Sequence, residues 1–102
     1  MIKALIKSDN NKIKSIVVNG HANYANSGKD IVCAGVTAIM VGALNAIDIL
    51  YNDQATLNVL ENEIQIIVKS DSNELQKTLE FVKIQLKTIF EQYPTYFELK
   101  EI

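Results

Sequence analysis

The sequence predicts an α+β fold: a two-layer sandwich in the order ββαββα(β), with two helices packed on a mostly antiparallel sheet. Three observations predict it. Two pairs of short apolar runs are each joined by a tight polar turn, the signature of β-hairpins. Each hairpin is followed by a long segment whose apolar residues recur at helical spacing. The chain's 102 residues, 48% hydrophobic and 22% charged, have the size and composition of one globular domain, 1-102.

Each element has its own signal. Ile2 to Lys7 alternates weakly and suits a strand, and Asp9-Asn10-Asn11 is a turn signal. Lys12 to Asn19 alternates before ending in Val17-Val18, and pairs with the first strand as a hairpin. Gly20 to Asp30 is small and polar and reads as a loop. Asp30 is a good N-cap for a helix to about Tyr51, which Asn52-Asp53 breaks. Ala55 to Leu60 and Ile64 to Lys69 form the second hairpin around Glu61-Asn62-Glu63. Within it Leu57 and Val59 share one face, as do Ile64, Ile66 and Val68. Asp71-Ser72-Asn73-Glu74 matches a capping box with Asp as the cap. It opens a helix to about Tyr93 with Leu75, Leu79, Val82, Leu86, Ile89 and Phe90 at helical spacing. Pro94 ends that helix, and Tyr96 to Ile102 alternates in a way that suits a last strand. The two halves share element order without a residue-level repeat.

Composition excludes several classes of function. A net charge of −2 argues against a large nucleic-acid footprint, which needs a strongly basic face. All ten cations are Lys, so the residue best suited to bidentate phosphate or guanine contacts is missing. One Cys permits no internal disulfide and points to a reducing compartment. One His and one Cys cannot alone make a structural zinc site, and no metal or other cofactor is expected. Met1-Ile2-Lys3-Ala4 lacks the basic region and apolar stretch of a signal peptide. Ile31 to Ile47 carries no charge, but a membrane span wants about 20 apolar residues. Small residues dominate one side of that run: Ala34, Gly35, Ala38, Gly42 and Ala46. It reads as a central helix packed closely on a sheet, with no membrane partner.

Chemistry is concentrated in Gly20-His21-Ala22-Asn23-Tyr24-Ala25-Asn26-Ser27-Gly28-Lys29-Asp30-Ile31-Val32-Cys33. The single His sits at a predicted strand end and the single Cys at the third position of a predicted helix. A helix N-terminus carries partial positive charge and unbonded N–H groups, which favour a thiolate. A neighbouring imidazole favours it further and can hold the abstracted proton. The N–H groups of that turn can bind an oxyanion during acyl transfer. Nucleophile, base and oxyanion donors together are the parts of a cysteine hydrolase.

Simpler readings stand beside this one. A lone Cys at the start of an apolar helix is most often a small core residue, and a lone His at a strand end is most often a surface residue. Asp30 is an N-cap or an orienter of His21. Gly20 and Gly28 are turn residues, with Gly28 also a candidate hinge for a closing loop. Tyr24 packs the loop or walls a substrate. Thr37, one turn beyond Cys33, bonds back to a helix carbonyl or makes a polar contact near the thiol.

Gly20-His21-Ala22, the Gly28-Lys29-Asp30 loop end and Ile31-Val32-Cys33-Ala34 resemble the ribosomal-processing cysteine protease family, Prp. The motif match spans about eighteen residues, and chain length and element order extend it over the whole chain. The resemblance implies a catalytic dyad of His21 and Cys33. It implies a cytoplasmic endopeptidase that removes the N-terminal extension of a bacterial large-subunit ribosomal protein, cutting after aromatic residues. It also implies a homodimer. The competing expectation is a non-catalytic, dimeric, ribosome-associated binding module. The family usually reads Cys-Ala-Ala-Val-Ser where this chain has Cys33-Ala34-Gly35-Val36-Thr37. Thr keeps the hydroxyl, and Gly35 lowers helix propensity by about 1 kcal/mol relative to Ala, a loss that closer packing would offset. On this reading the loop from Ala22 to Lys29 is mobile without substrate and ordered with it.

Overall fold

The computed structural model describes residues 1–20 and 27–102, with residues 27–30 as backbone. Its elements are β1 (Ile2–Asp9), β2 (Lys12–Asn19), α1 (Ser27–Leu50), β3 (Ala55–Leu60), β4 (Glu63–Val68), α2 (Asn73–Gln92) and β5 (Phe97–Glu101). The fold class is the α+β sandwich that the sequence predicts, and the last strand is present. The five strands lie in the order β3-β4-β2-β1-β5. Every pairing is antiparallel except β1 with β5, which is parallel.

The β1–β2 turn is a two-residue loop. Asn10 and Asn11 both take positive φ, at 54° and 63°, the backbone that matches hairpin twist and that Asn tolerates. β2 then needs a correction to strict alternation. Its buried residues are Ile13, Ile16 and Val18, and a step of three cannot keep one face of a regular strand. The pairing jumps from Lys7↔Ser15 to Ser8↔Ile13, so Lys14 is the extra residue of a bulge. The bulge returns Ile13 to the core face and leaves Lys14 outside.

Both helices lie on one face of the sheet. α2 packs on β5 and β2, and α1 packs on α2 and β3, so α1 lies toward the β3 edge and α2 toward the β5 edge. The core joins Ile2, Ile6, Ile16 and Val18 of the sheet to Val32, Val36, Met40 and Ile47 of α1 and Leu75, Leu79 and Leu86 of α2. Ile31–Leu50 is long and apolar enough to cross a membrane by length and composition; here one face of it is spent on this core. Gly35 faces α2: a Cβ there would stand 3.3 Å from Ile89 Cδ1, which accounts for a glycine inside the helix.

Two helix starts differ from expectation. α2 is capped by Ser72, whose Oγ accepts from the Leu75 amide at 3.1 Å. Asp71, the expected cap, stands one residue earlier and accepts from the Ser72 amide at 2.9 Å instead. A hydroxyl with extended backbone (φ −151°, ψ 159°) does the same capping chemistry one residue further on. α1 starts at Ser27, three residues before the expected Asp30 cap. Asn26, Ser27 and Asp30 are all cap-type residues, so composition alone does not choose among them.

Candidate active site

The site is best built from the end of β2. Asn19 pairs with Lys3 on one side and Glu63 on the other. The Glu63 carboxylate accepts from Asn19 Nδ2 at 3.4 Å and from Gln65 Nε2. Gly20 follows with φ +88°, a conformation L side chains rarely adopt. Its amide donates to the Asn62 carbonyl at 3.3 Å, and a Cβ would collide with the Met1 carbonyl oxygen. Gly20 is therefore demanded by the backbone. It fixes where the chain leaves the sheet, and His21 is the next residue. His21 and Tyr24 lie outside the described residues, as does most of the loop expected over 22–29.

The chain re-enters described structure at Ser27, already helical. Gly28 is the second residue of α1 and Asp30 the fourth, so the turn role for Gly28 and the capping role for Asp30 are both corrected. Cys33 is the seventh helical residue, not the third. The shift matters for chemistry. Within α1 the Cys33 amide falls in register with the Lys29 carbonyl. The Cys33 amide is therefore not among the expected oxyanion donors, which lie nearer the start of α1. They remain close to the thiol, because each Cα–Cβ bond tilts toward the helix N-terminus.

Cys33 is half-buried and packs against the core cluster. Thr37, also half-buried, is one turn on and on the same flank. Residues two apart are turned by about 200° around a helix, so Cys33 lies on the flank opposite Gly35. Gly35, Ile39 and Gly42 face the α2 side. Cys33 and Thr37 therefore overlook the β3 side of the molecule. Among the described residues there is no cluster of His, Cys, Asp and Glu that could hold a metal ion.

A half-buried thiol near the start of a helix, at the sheet end from which the sole histidine departs, fits acyl transfer by a cysteine nucleophile. Comparison with known proteins agrees. The family model described as cysteine protease Prp matches residues 1–98. The ribosomal processing cysteine protease Prp of Staphylococcus aureus (strain Mu50) is 33% identical over 89 residues, covering 84% of each chain. That of Bacillus subtilis (strain 168) is 44% identical over 63 residues, 61% of this chain and 56% of the relative. Among solved structures, the S. aureus protease Prp in complex with a substrate peptide superposes with a TM-score of 0.91 at 28% identity over all of both chains. The same protease with a covalently linked product peptide gives 0.88 at 29% identity, again over both whole chains. The chain belongs to the Prp family and is a cysteine protease.

Proposed function

We propose that this chain acts as one cysteine protease domain, in the cytoplasm and as a homodimer. Its substrate is the N-terminal extension of a bacterial large-subunit ribosomal protein, cut after aromatic residues. Cys33 and His21 are the dyad. The Cys33 thiolate attacks the scissile carbonyl carbon, and the carbonyl oxygen becomes an oxyanion that the unbonded amides of the first α1 turn stabilise. The intermediate collapses to a thioester as the C–N bond breaks, and the imidazolium of His21 protonates the departing amine. His21 then takes a proton from water, the hydroxide displaces the thioester sulfur, and the product leaves as a carboxylic acid with the thiol regenerated. Asp30, in the first turn, complements the helix dipole and is the candidate orienter of His21.

The observation that carries this reading is the placement of Cys33 within the first two turns of α1, at the sheet end where Gly20 hands the chain to His21. The relatives' printed role in ribosomal processing supports the substrate class. A groove between the helices, lined by Ala38, Gly42, Ala46 and the exposed Phe81, supports self-association through the helix layer.

The test is mass spectrometry of a ribosomal-protein N-terminal peptide incubated with the protein. Wild type is expected to cut once, after an aromatic residue. Cys33→Ala and His21→Ala should each lower kcat/KM by roughly a thousandfold or more, with thermal melting unchanged. A folded Cys33→Ala protein that still cleaves overturns the thiol mechanism, and an inert wild type favours the binding-module alternative.

A further inference from the structure

β3 and β5 are the two edges of the sheet, and they differ in chemistry. β5 carries Glu98, Lys100 and Glu101, whereas β3 has no charged residue along Ala55–Leu60. Charged side chains discourage pairing at an edge, and their absence leaves it open to a peptide. Within β3, Val59 is in register with Ile64, and Ile64 with Val18. Cross-strand partners share a face, and Ile64 and Val18 are buried beneath the helices at 3% and 0% exposure. Val59 therefore points into the helix layer, yet it is 67% exposed. It is a core-facing valine that stays exposed among the described residues.

Its position relates it to the thiol. α1 starts beyond the end of β2, and its far end leads into the start of β3. The N-terminal part of α1 accordingly lies toward the C-terminal end of β3, where Val59 is. Cys33, Thr37 and Val41 follow one another at four-residue steps along the α1 flank turned away from α2, and Val41 is 40% exposed. The groove between the helices lies on the opposite flank, so nothing seated there is continuous with the thiol. Cys33, Thr37, Val41 and Val59 are all uncharged, with one hydroxyl among them.

We propose that Val59 is a specificity-determining residue: together with Thr37 and Val41 it receives an apolar side chain of the substrate peptide, lying extended between α1 and β3, while a nearby peptide bond meets Cys33. The proposal rests on the peptidase reading above, and its test separates the two. Michaelis parameters are measured on the ribosomal-protein peptide and on versions with each apolar residue replaced in turn by Ala. Val59→Glu is expected to raise KM at least about tenfold with kcat within about twofold, and to leave alkylation of Cys33 by iodoacetamide unchanged. One peptide position should lose the distinction between wild type and variant when it becomes Ala. Val59→Thr, near in shape and suited to a strand, should raise KM by a smaller factor, and it decides the matter if the Glu variant does not fold. A wild type that leaves the peptide intact overturns the ribosomal-peptide reading and this inference together. A wild type that cleaves, beside folded Val59 variants with unchanged KM or with no position-specific effect, overturns this inference alone.

Discussion

The end of the sheet that carries the Asn10-Asn11 turn and the end that carries Gly20 are held by different means. At the first, α2 reaches β2 through one side chain. The Gln76 carboxamide oxygen accepts from the Ile13 amide at 2.8 Å, and its nitrogen donates to the Ile13 carbonyl at 2.9 Å and to Asp71 at 3.0 Å. β4 pairs with β2 only from Ser15 onward, so Gln76 takes over where the strand partner stops. Ser72, Gln54 and Lys12 extend the network. At the other end Gly20 is seated by backbone, against Met1 and Asn62. Side-chain hydrogen bonds from α2 thus brace the end away from the thiol, while at the end near it the backbone seating of Gly20 is joined by side-chain bonds within the sheet, among Asn19, Glu63 and Gln65.

The comparison can be broken most severely at Gly20. Gly20→Ala puts a Cβ into the Met1 carbonyl and forces an L residue to positive φ. It should cost about 2–4 kcal/mol and also lower kcat/KM, because the displaced strand end leads directly to His21. Urea denaturation and peptide cleavage measured together check this. An Ala variant of native stability and full activity would show that the tight approach at Met1 is not what sets the strand end.

Much of this was legible in the sequence. Alternation and helical spacing located all five strands and both helices, because β3 and α2 have unambiguous periods and clear turn residues around them. That Cys33 and Thr37 stand one turn apart on the same helix was also legible, from their spacing. The start of α1 was not, since Asn26, Ser27 and Asp30 offer the same capping chemistry; the error moved Cys33 from the third helical position to the seventh. The β2 bulge was hidden because Lys14 sits in what reads as an unbroken alternation. Val59 was grouped with Leu57 on one face but not recognised as exposed, because exposure at a sheet edge depends on where α1 passes overhead. No local pattern reports that. His21, Tyr24 and their neighbours, although the most recognisable part of the motif, fall outside the described residues.

At the braced end the expected effect is smaller and confined to stability. Gln76→Ala removes the partner of both the Ile13 amide and the Ile13 carbonyl. These groups are partly buried, so water replaces the carboxamide incompletely, and the loss should be about 1–3 kcal/mol. kcat/KM should stay within about twofold of wild type at a temperature where both proteins are folded, since Gln76 stands at the opposite end from Gly20. A Gln76 variant with native stability and impaired cleavage would reverse the division of labour drawn between the two ends.

The smallest expected effect sharpens the comparison through pH. Asp71 titrates below the usual carboxylate value of 3.8, chiefly because Gln76 donates to its ionised form, with the Ser72 amide and Lys12 acting in the same direction against a modest desolvation. A carboxyl whose folded pKa is depressed binds protons more weakly folded than unfolded, so its contribution to stability is complete above the unfolded value. It declines as pH falls through 3.8 and is gone below the lowered folded value. Asp71→Asn retains an oxygen to accept from Ser72 and Gln76 but loses the charge that faces Lys12 Nζ at 3.7 Å. Asp71 is exposed, and an exposed ion pair contributes less than about 1 kcal/mol, so the variant should melt only slightly below wild type at pH 7. The difference should shrink as melting is repeated at pH 5 and then at successively lower pH, as the wild-type carboxyl takes up its proton. A gap that stays constant across that range would mean that Asp71 acts through shape and hydrogen bonding alone, and that the braced end owes nothing to its charge.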